Sequence, residues 1–239
     1  METRMPDTDK FEKVIAAIDA ANARDPNCTE VDGRPEPAEL VYGRRMTATL
    51  ACIAPNASEQ LRIAARGQHI ERWTSARKSY PEGRAGYLSW RNALKEFHAR
   101  RLGEIMLSAG YGSDDIARVR SLVRKERLKF DREAQLLEDI ACLVFLEHYL
   151  SEFSRKTNQE KLAGILAKTW KKMSPLGHDD LKLAPMPPGV MDSGLAGKSA
   201  KPTCQRAPGM TSRVRLVDRE VLSCTNHQPL LAIKHRQAA

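Results

Sequence analysis

DREAQLLEDIACLVFLEHYLSEF, residues 131–153, is the stretch that decides how this chain folds. Its middle, 140–146, is the longest apolar run in the sequence. A helix apolar on nearly all sides belongs at the centre of a bundle. Adjacent carboxylates, Glu138 and Asp139, stand where that run begins. Carboxylates at the edge of a buried helix are exposed, paired or bound to metal. They lie about 100° apart around the helix, so at most one points squarely inward. Asp131, Gln135, Asp139 and Cys142 form a polar seam along the same helix, and such a seam needs partners. Lys125 and Lys129, just upstream, could supply charge.

Working outward, the flanking segments read as further helices. Asp9 and Glu12 make a capping-box start for a helix that Pro26 stops near Arg24. A second helix spans 39–53 and ends at Pro55; a third, opened by Asn56 and Glu59, spans 56–73. In that third helix Leu61, Ala65 and His69 share one stripe. Helical spacing returns at 87–109, where Leu94, His98 and Leu102 line up and Gly110 is suited to the C-terminal cap. Ser113, followed by Asp114 and Asp115, opens the next helix, and Asp131 caps the central one. Thr157 or Asn158 opens the last, which Ser174-Pro175 closes. No run alternates with period two, and no hairpin dipeptide lies between apolar runs. The expected fold is all-α: a single bundle of about seven helices over residues 8–183. Residues 184–239 are rich in Pro, Gly and Ser and read as a mostly disordered basic tail.

Composition narrows the function classes. A chain of 239 residues buries a core without disulfides. Its five cysteines show no CxxC spacing, which fits a reducing compartment. The polar N-terminus, METRMPDTDK, has no signal-peptide pattern, and seven apolar residues fall short of the roughly 20 that span a bilayer. A cytoplasmic protein with no membrane partner is expected. The net charge of +9 is spread out: from Pro187 onward eight Lys/Arg face three Asp/Glu. The densest basic cluster, Arg118 to Lys129, lacks the aromatic interleaving of a nucleic-acid module and reads as a solvated helix face.

The residues that suggest chemistry are His69, His98, Glu138 and Asp139. Each histidine lies on a different helix, on a face otherwise apolar, and the carboxylates begin the most buried helix. Imidazole and carboxylate ligands from several helices hold divalent ions, which lower the pKa of bound water and polarise phosphoryl oxygens. The plainer alternative is a pair of hydrogen-bonded core histidines and a salt-bridged carboxylate. No HExxH or ExxH spacing favours the metal.

Five strings carry a resemblance: ELVYGRRM (39–46), AARGQHIERW (64–73), YPEGRAGYLSWR (80–91), LKFDREAQLLEDIACLVFLEHY (128–149) and KTWKKMS (168–174). They are similar to the family called domain of unknown function 4202, over about residues 11–183. The family is defined by sequence, so the resemblance implies an all-helical domain and no particular reaction. Some relatives carry a glutamyl-tRNA synthetase label, for which this chain offers only His69-Ile70 and Lys172-Met173-Ser174. Those signatures act on a parallel sheet at a helix N-terminus; with no βαβ pattern here, a synthetase is not expected. More distantly, the order His69, His98, Asp139 resembles the His-Asp superfamily of metal phosphohydrolases. Ala99 follows His98 where that family has an aspartate.

The leading expectation is therefore a metal-dependent hydrolase of a phosphorylated small molecule or nucleotide. His69, His98 and Asp139 would bind a divalent ion (Mn, Fe or Zn), and Glu138 would be a fourth ligand or the general base. Lys129 or Arg66 would contact phosphate. Ligands lie about 2 Å from an ion, so the two histidines must lie within about 8 Å of each other. The alternative is a non-catalytic helical module that binds a protein or an RNA. Oxidative chemistry at a dinuclear iron site ranks last, because it needs more ligands than the sequence offers.

Overall fold

A computed structural model of the protein describes residues 7–181; the tail expected at 184–239 lies outside the described residues. The described elements are α1 (Asp7–Asn22), β1 (Cys28–Val31), β2 (Arg34–Pro37), α2 (Ala38–Ile53), α3 (Glu59–Gly67), α4 (Gly83–Ser108), α5 (Ser113–Arg124), α6 (Arg132–His148), α7 (Leu150–Arg155), α8 (Gln159–Lys172) and α9 (Pro175–Leu181). Two single 3-10 turns, Arg72–Thr74 and Arg77–Ser79, lie between α3 and α4. The all-α expectation holds, with nine described helices in place of seven. The extra two arise because the chain leaves helical geometry at Tyr149, dividing α6 from α7, and because Pro175 starts α9.

α6 is the centre of the bundle, packed against α2, α3, α5, α7, α8 and α9. Ala134, Leu137, Ile140 and Val144 are fully buried in the main core, with Leu61 and Ile63 of α3, Leu102 of α4 and Leu122 of α5. Asp131 caps α6 as expected: its carboxylate accepts the N–H groups of Glu133 and Ala134 and pairs with Arg118 of α5. Asn158 caps α8 through the N–H of Lys161. Two expected caps differ. Asp9 falls inside α1, and Ser58, in place of Asn56, accepts from Leu61 N–H to start α3. No described helix is long and apolar enough to cross a membrane.

Two departures from the expected elements shape the surroundings of His69. First, residues 28–37 form an antiparallel hairpin around Asp32-Gly33, both at positive φ (50° and 78°), the backbone of a type I′ turn. The Asp-Gly signal is in the sequence, but its flanks, CTEV and RPEP, lack alternating apolar residues. β2 runs directly into α2, and Asp25 accepts the N–H of Glu39 at 3.0 Å and that of Asn27 at 2.9 Å. Hairpin and aspartate together fix the first turn of α2.

Second, the helix expected over 56–73 ends at Gly67. Gly67 packs so closely on α4 that a Cβ there would collide with the side chain of Leu102. The chain then turns through 68–71, and Glu71 sits in the left-handed region at φ 50°. Its N–H donates to Asn22 Oδ1, and its carboxylate accepts from Arg24 (3.0 Å) and Arg101 (2.7 Å). These bonds from Asn22 of α1, from Arg24 just beyond it and from Arg101 of α4 hold a conformation that costs a non-glycine residue about 1 kcal/mol or more.

Candidate functional site

The 68–72 turn delivers Gln68, His69 and Arg72 to one wall of a cleft of about 170 Å³. Arg91, Leu94, Lys95 and His98 of α4 line it, with Val123 and Lys125 at the end of α5. Glu138, Cys142 and Phe145 of α6 form its floor, Tyr42 of α2 and Tyr149 flank it, and Ile165, Thr169 and Lys172 of α8 close one side.

The two histidines meet here. Their ring centroids are 6.1 Å apart, tilted by 35°. His98 is 3 % exposed, and its Nδ1 lies 2.8 Å from the carbonyl oxygen of Ile70. A carbonyl only accepts, so Nδ1 carries the proton and Nε2 presents a lone pair. Nε2 is buried and has no hydrogen-bond partner among the described residues. His69 stacks on Tyr42 (centroids 4.0 Å, 10°), whose hydroxyl donates to Gln68 Oε1. His69 Nδ1 lies 3.3 Å from Oε2 of the buried Glu39, too poorly aligned for a full hydrogen bond. That places Nδ1 toward the carboxylate and leaves the Nε2 edge for the cleft. Burial, then the charges of Arg72, Arg91 and Lys125, holds the His69 pKa well below the usual imidazole value. Burial and the neighbouring His69 bring His98 down to about 3. Both rings are neutral near pH 7.

Five cations line the same cleft: Arg72, Arg91, Lys95, Lys125 and Lys172. Lys125 is the C-terminal cap of α5 in left-handed geometry (φ 60°) and pairs with Glu138; Lys172 lies 3.6 Å from the other Glu138 oxygen. Burial opposes ionisation of Glu138, but Lys125, Lys172 and Arg91 more than offset it and hold its pKa near 2. Arg91 and Lys95 form no ion pair with any described carboxylate. Burial, then Arg91 and Lys125, pulls the Lys95 ammonium below its ordinary value. Cys142 is no nucleophile: burial and Glu138 push its thiol up to about 12.

The expected metal set does not assemble. His69 and His98 are together, but Asp139 faces the other way. It accepts from Ser174 N–H (2.8 Å), Ser174 Oγ (2.5 Å) and Gln135 Nε2 (2.9 Å), which joins α6 to the start of α9. Within the polar seam, Gln135 and Asp139 find partners at the α8–α9 junction and Asp131 finds Arg118, rather than Lys125 and Lys129. Among the described residues no three of His, Cys, Asp or Glu converge so as to hold a metal ion. Glu138 does reach the cleft, but a carboxylate held near 2 is a poor general base. Arg66 is spent on Asp19, with contacts of 2.6 and 2.5 Å, and Lys129 is exposed and outside the cleft.

Glu39, Tyr42, Arg72, Arg91 and Lys95 are not singled out by the sequence, and Lys172 enters only in the Lys172-Met173-Ser174 string. One signal was available: Arg91, Lys95 and His98 fall at i, i+4 and i+7, a cationic stripe that continues onto the buried histidine. Nothing in the sequence pointed to Glu39, because its place depends on the hairpin and on the bend after Gly67.

No curated protein and no solved structure matches the chain. The family described as Domain of unknown function (DUF4202) matches residues 12–192, a span that holds every residue lining the cleft. This agrees with the resemblance read from the five sequence strings, and the chain belongs to that family.

Proposed function

We propose that the cleft binds a small phosphorylated molecule and hydrolyses its phosphate ester. The observation that carries the reading is the convergence of five cations on one recess, two of them without an ion pair, around two neutral imidazoles. Cations crowded together at partial burial repel one another, and a phosphate dianion relieves that repulsion. Arg91 and Lys95 take the phosphoryl oxygens first, with Lys125 and Lys172 released to it from Glu138. A recess of about 170 Å³ favours a small molecule over an RNA strand or a protein segment.

His69 is the proton acceptor. Glu39 orients the ring through Nδ1, so Nε2 takes a proton from water as the water oxygen attacks phosphorus. The phosphorus–oxygen ester bond breaks, and the leaving oxygen takes its proton from the Lys95 ammonium. Negative charge on the ligand raises the His69 pKa as the complex forms, which makes the ring a stronger base. Among the described residues no three of His, Cys, Asp or Glu converge as ligands, so the step is written with side chains and water alone.

Phosphate release from a panel of phosphomonoesters tests this directly. Asparagine at 69 keeps a group at the Nδ1 position and removes Nε2. His69→Asn is expected to lower kcat by about 10²- to 10⁴-fold while inorganic phosphate binds almost as well. No release by the wild type from any ester, or equal rates in the two proteins, contradicts the hydrolytic reading.

A further inference from the structure

We infer that the ligand carries a hydroxyl group beside its phosphate and donates it to Nε2 of His98, which makes the ligand class a sugar phosphate. The inference rests on the phosphate reading of the cleft and adds what the rest of the ligand must be.

The bond from Nδ1 to the Ile70 carbonyl fixes the tautomer, so Nε2 can only accept. It is buried and lacks a partner among the described residues, and His98 is one of the residues that line the cleft. A buried acceptor left unmade is costly, and a site that retains one is complete only with a donor in place. Phosphate cannot be that donor, because its dianion offers acceptors and goes to the cations. An ammonium group is repelled by the same cations. A neutral donor remains, and a hydroxyl is the simplest.

Size and lining narrow the class further. An engineered cavity of roughly 150 Å³ holds a single six-membered ring, and this recess of about 170 Å³ is similar. One hydroxylated ring fits inside, and a larger group attached to it would extend out of the open side of the cleft. Leu94, Val123 and Phe145 offer apolar contact to the C–H faces of such a ring, while the phosphate lies against Arg91 and Lys95.

Calorimetric titration of the full chain tests the inference with inorganic phosphate and two matched pairs. Ribose 5-phosphate is set against cyclopentylmethyl phosphate, and glucose 6-phosphate against cyclohexylmethyl phosphate. Each pair shares charge and ring size and differs in its hydroxyls and its ring oxygen, which only accepts and so cannot satisfy Nε2. In the wild type the sugar phosphate of at least one pair is expected to bind about 100-fold tighter than its partner. His98→Asn, which keeps a donor for Ile70 and removes the Nε2 acceptor, should bring that ratio to within a few fold. His98→Gln, with an oxygen near the Nε2 position, should restore part of it. If inorganic phosphate binds and neither pair discriminates in the wild type, a water satisfies His98 and the inference is overturned while the phosphate reading stands. If neither inorganic phosphate nor any ester binds, the phosphate reading fails and takes this inference with it.

Discussion

Glu138 is the one carboxylate among the described residues that line the cleft. It lies in the cleft, ionised, between Lys125 and Lys172, in the position of an internal anion. A phosphate dianion entering the cleft competes with it for both ammonium groups. Glu138→Gln is therefore expected to tighten inorganic phosphate several fold and to lower the melting temperature without phosphate, since Lys125 loses its partner. Added phosphate should then raise the variant's melting temperature more than the wild type's. Weaker phosphate binding in Glu138→Gln would show that the carboxylate supports the ligand rather than competing with it. The sequence marked Glu138, Asp139, His69 and His98 correctly as residues that need partners, because polar groups at the edge of apolar faces do. It did not say which partners. Neighbouring carboxylates about 100° apart on α6 face different elements: the cleft for Glu138, the Ser174 backbone for Asp139.

At the scale of elements, the caps and the apolar period made α6 and its neighbours legible, and tertiary contacts decided the rest. The helix expected over 56–73 loses its last six residues because Gly67 must meet Leu102 and because Asn22, Arg24 and Arg101 hold Glu71 outside helical geometry. The hairpin at 28–37 was hidden by polar flanks, yet it sets Glu39 against His69. α8 is the cleft wall with the least anchorage, as only Thr169 among its residues is buried. Its C-terminal end is tied down by Asp139, which accepts from Ser174, and by Gln135, which donates to the Lys172 carbonyl at 2.9 Å. Asp139→Ala removes that tie and leaves the Ser174 N–H unpaired, at a cost of about 1–3 kcal/mol. Amide exchange is the suitable measurement. Faster exchange confined to α8 and α9, with weaker phosphate binding as Lys172 moves away, is the expected result. A uniform loss of protection across all helices would contradict the local role.

At the scale of the whole molecule, the net charge of +9 gave no direction, since basic residues are dispersed along the chain. Folding concentrates part of that charge: Arg72 from the turn after α3, Arg91 and Lys95 from α4, Lys125 from α5 and Lys172 from α8 come to one recess. Sequence separation hid this, because five cations from four regions of the chain share no local pattern. The family match spans the whole cleft, so its lining belongs to the shared domain rather than to the residues beyond it. The most direct test of the central claim is calorimetric titration of inorganic phosphate into the wild type and into Arg91→Gln/Lys95→Gln, at low and at physiological salt. The account predicts one saturable site in the wild type, weaker by at least about tenfold in the double variant and weaker again as salt rises. Absence of saturable binding to the wild type, or equal binding by the two proteins, would contradict it.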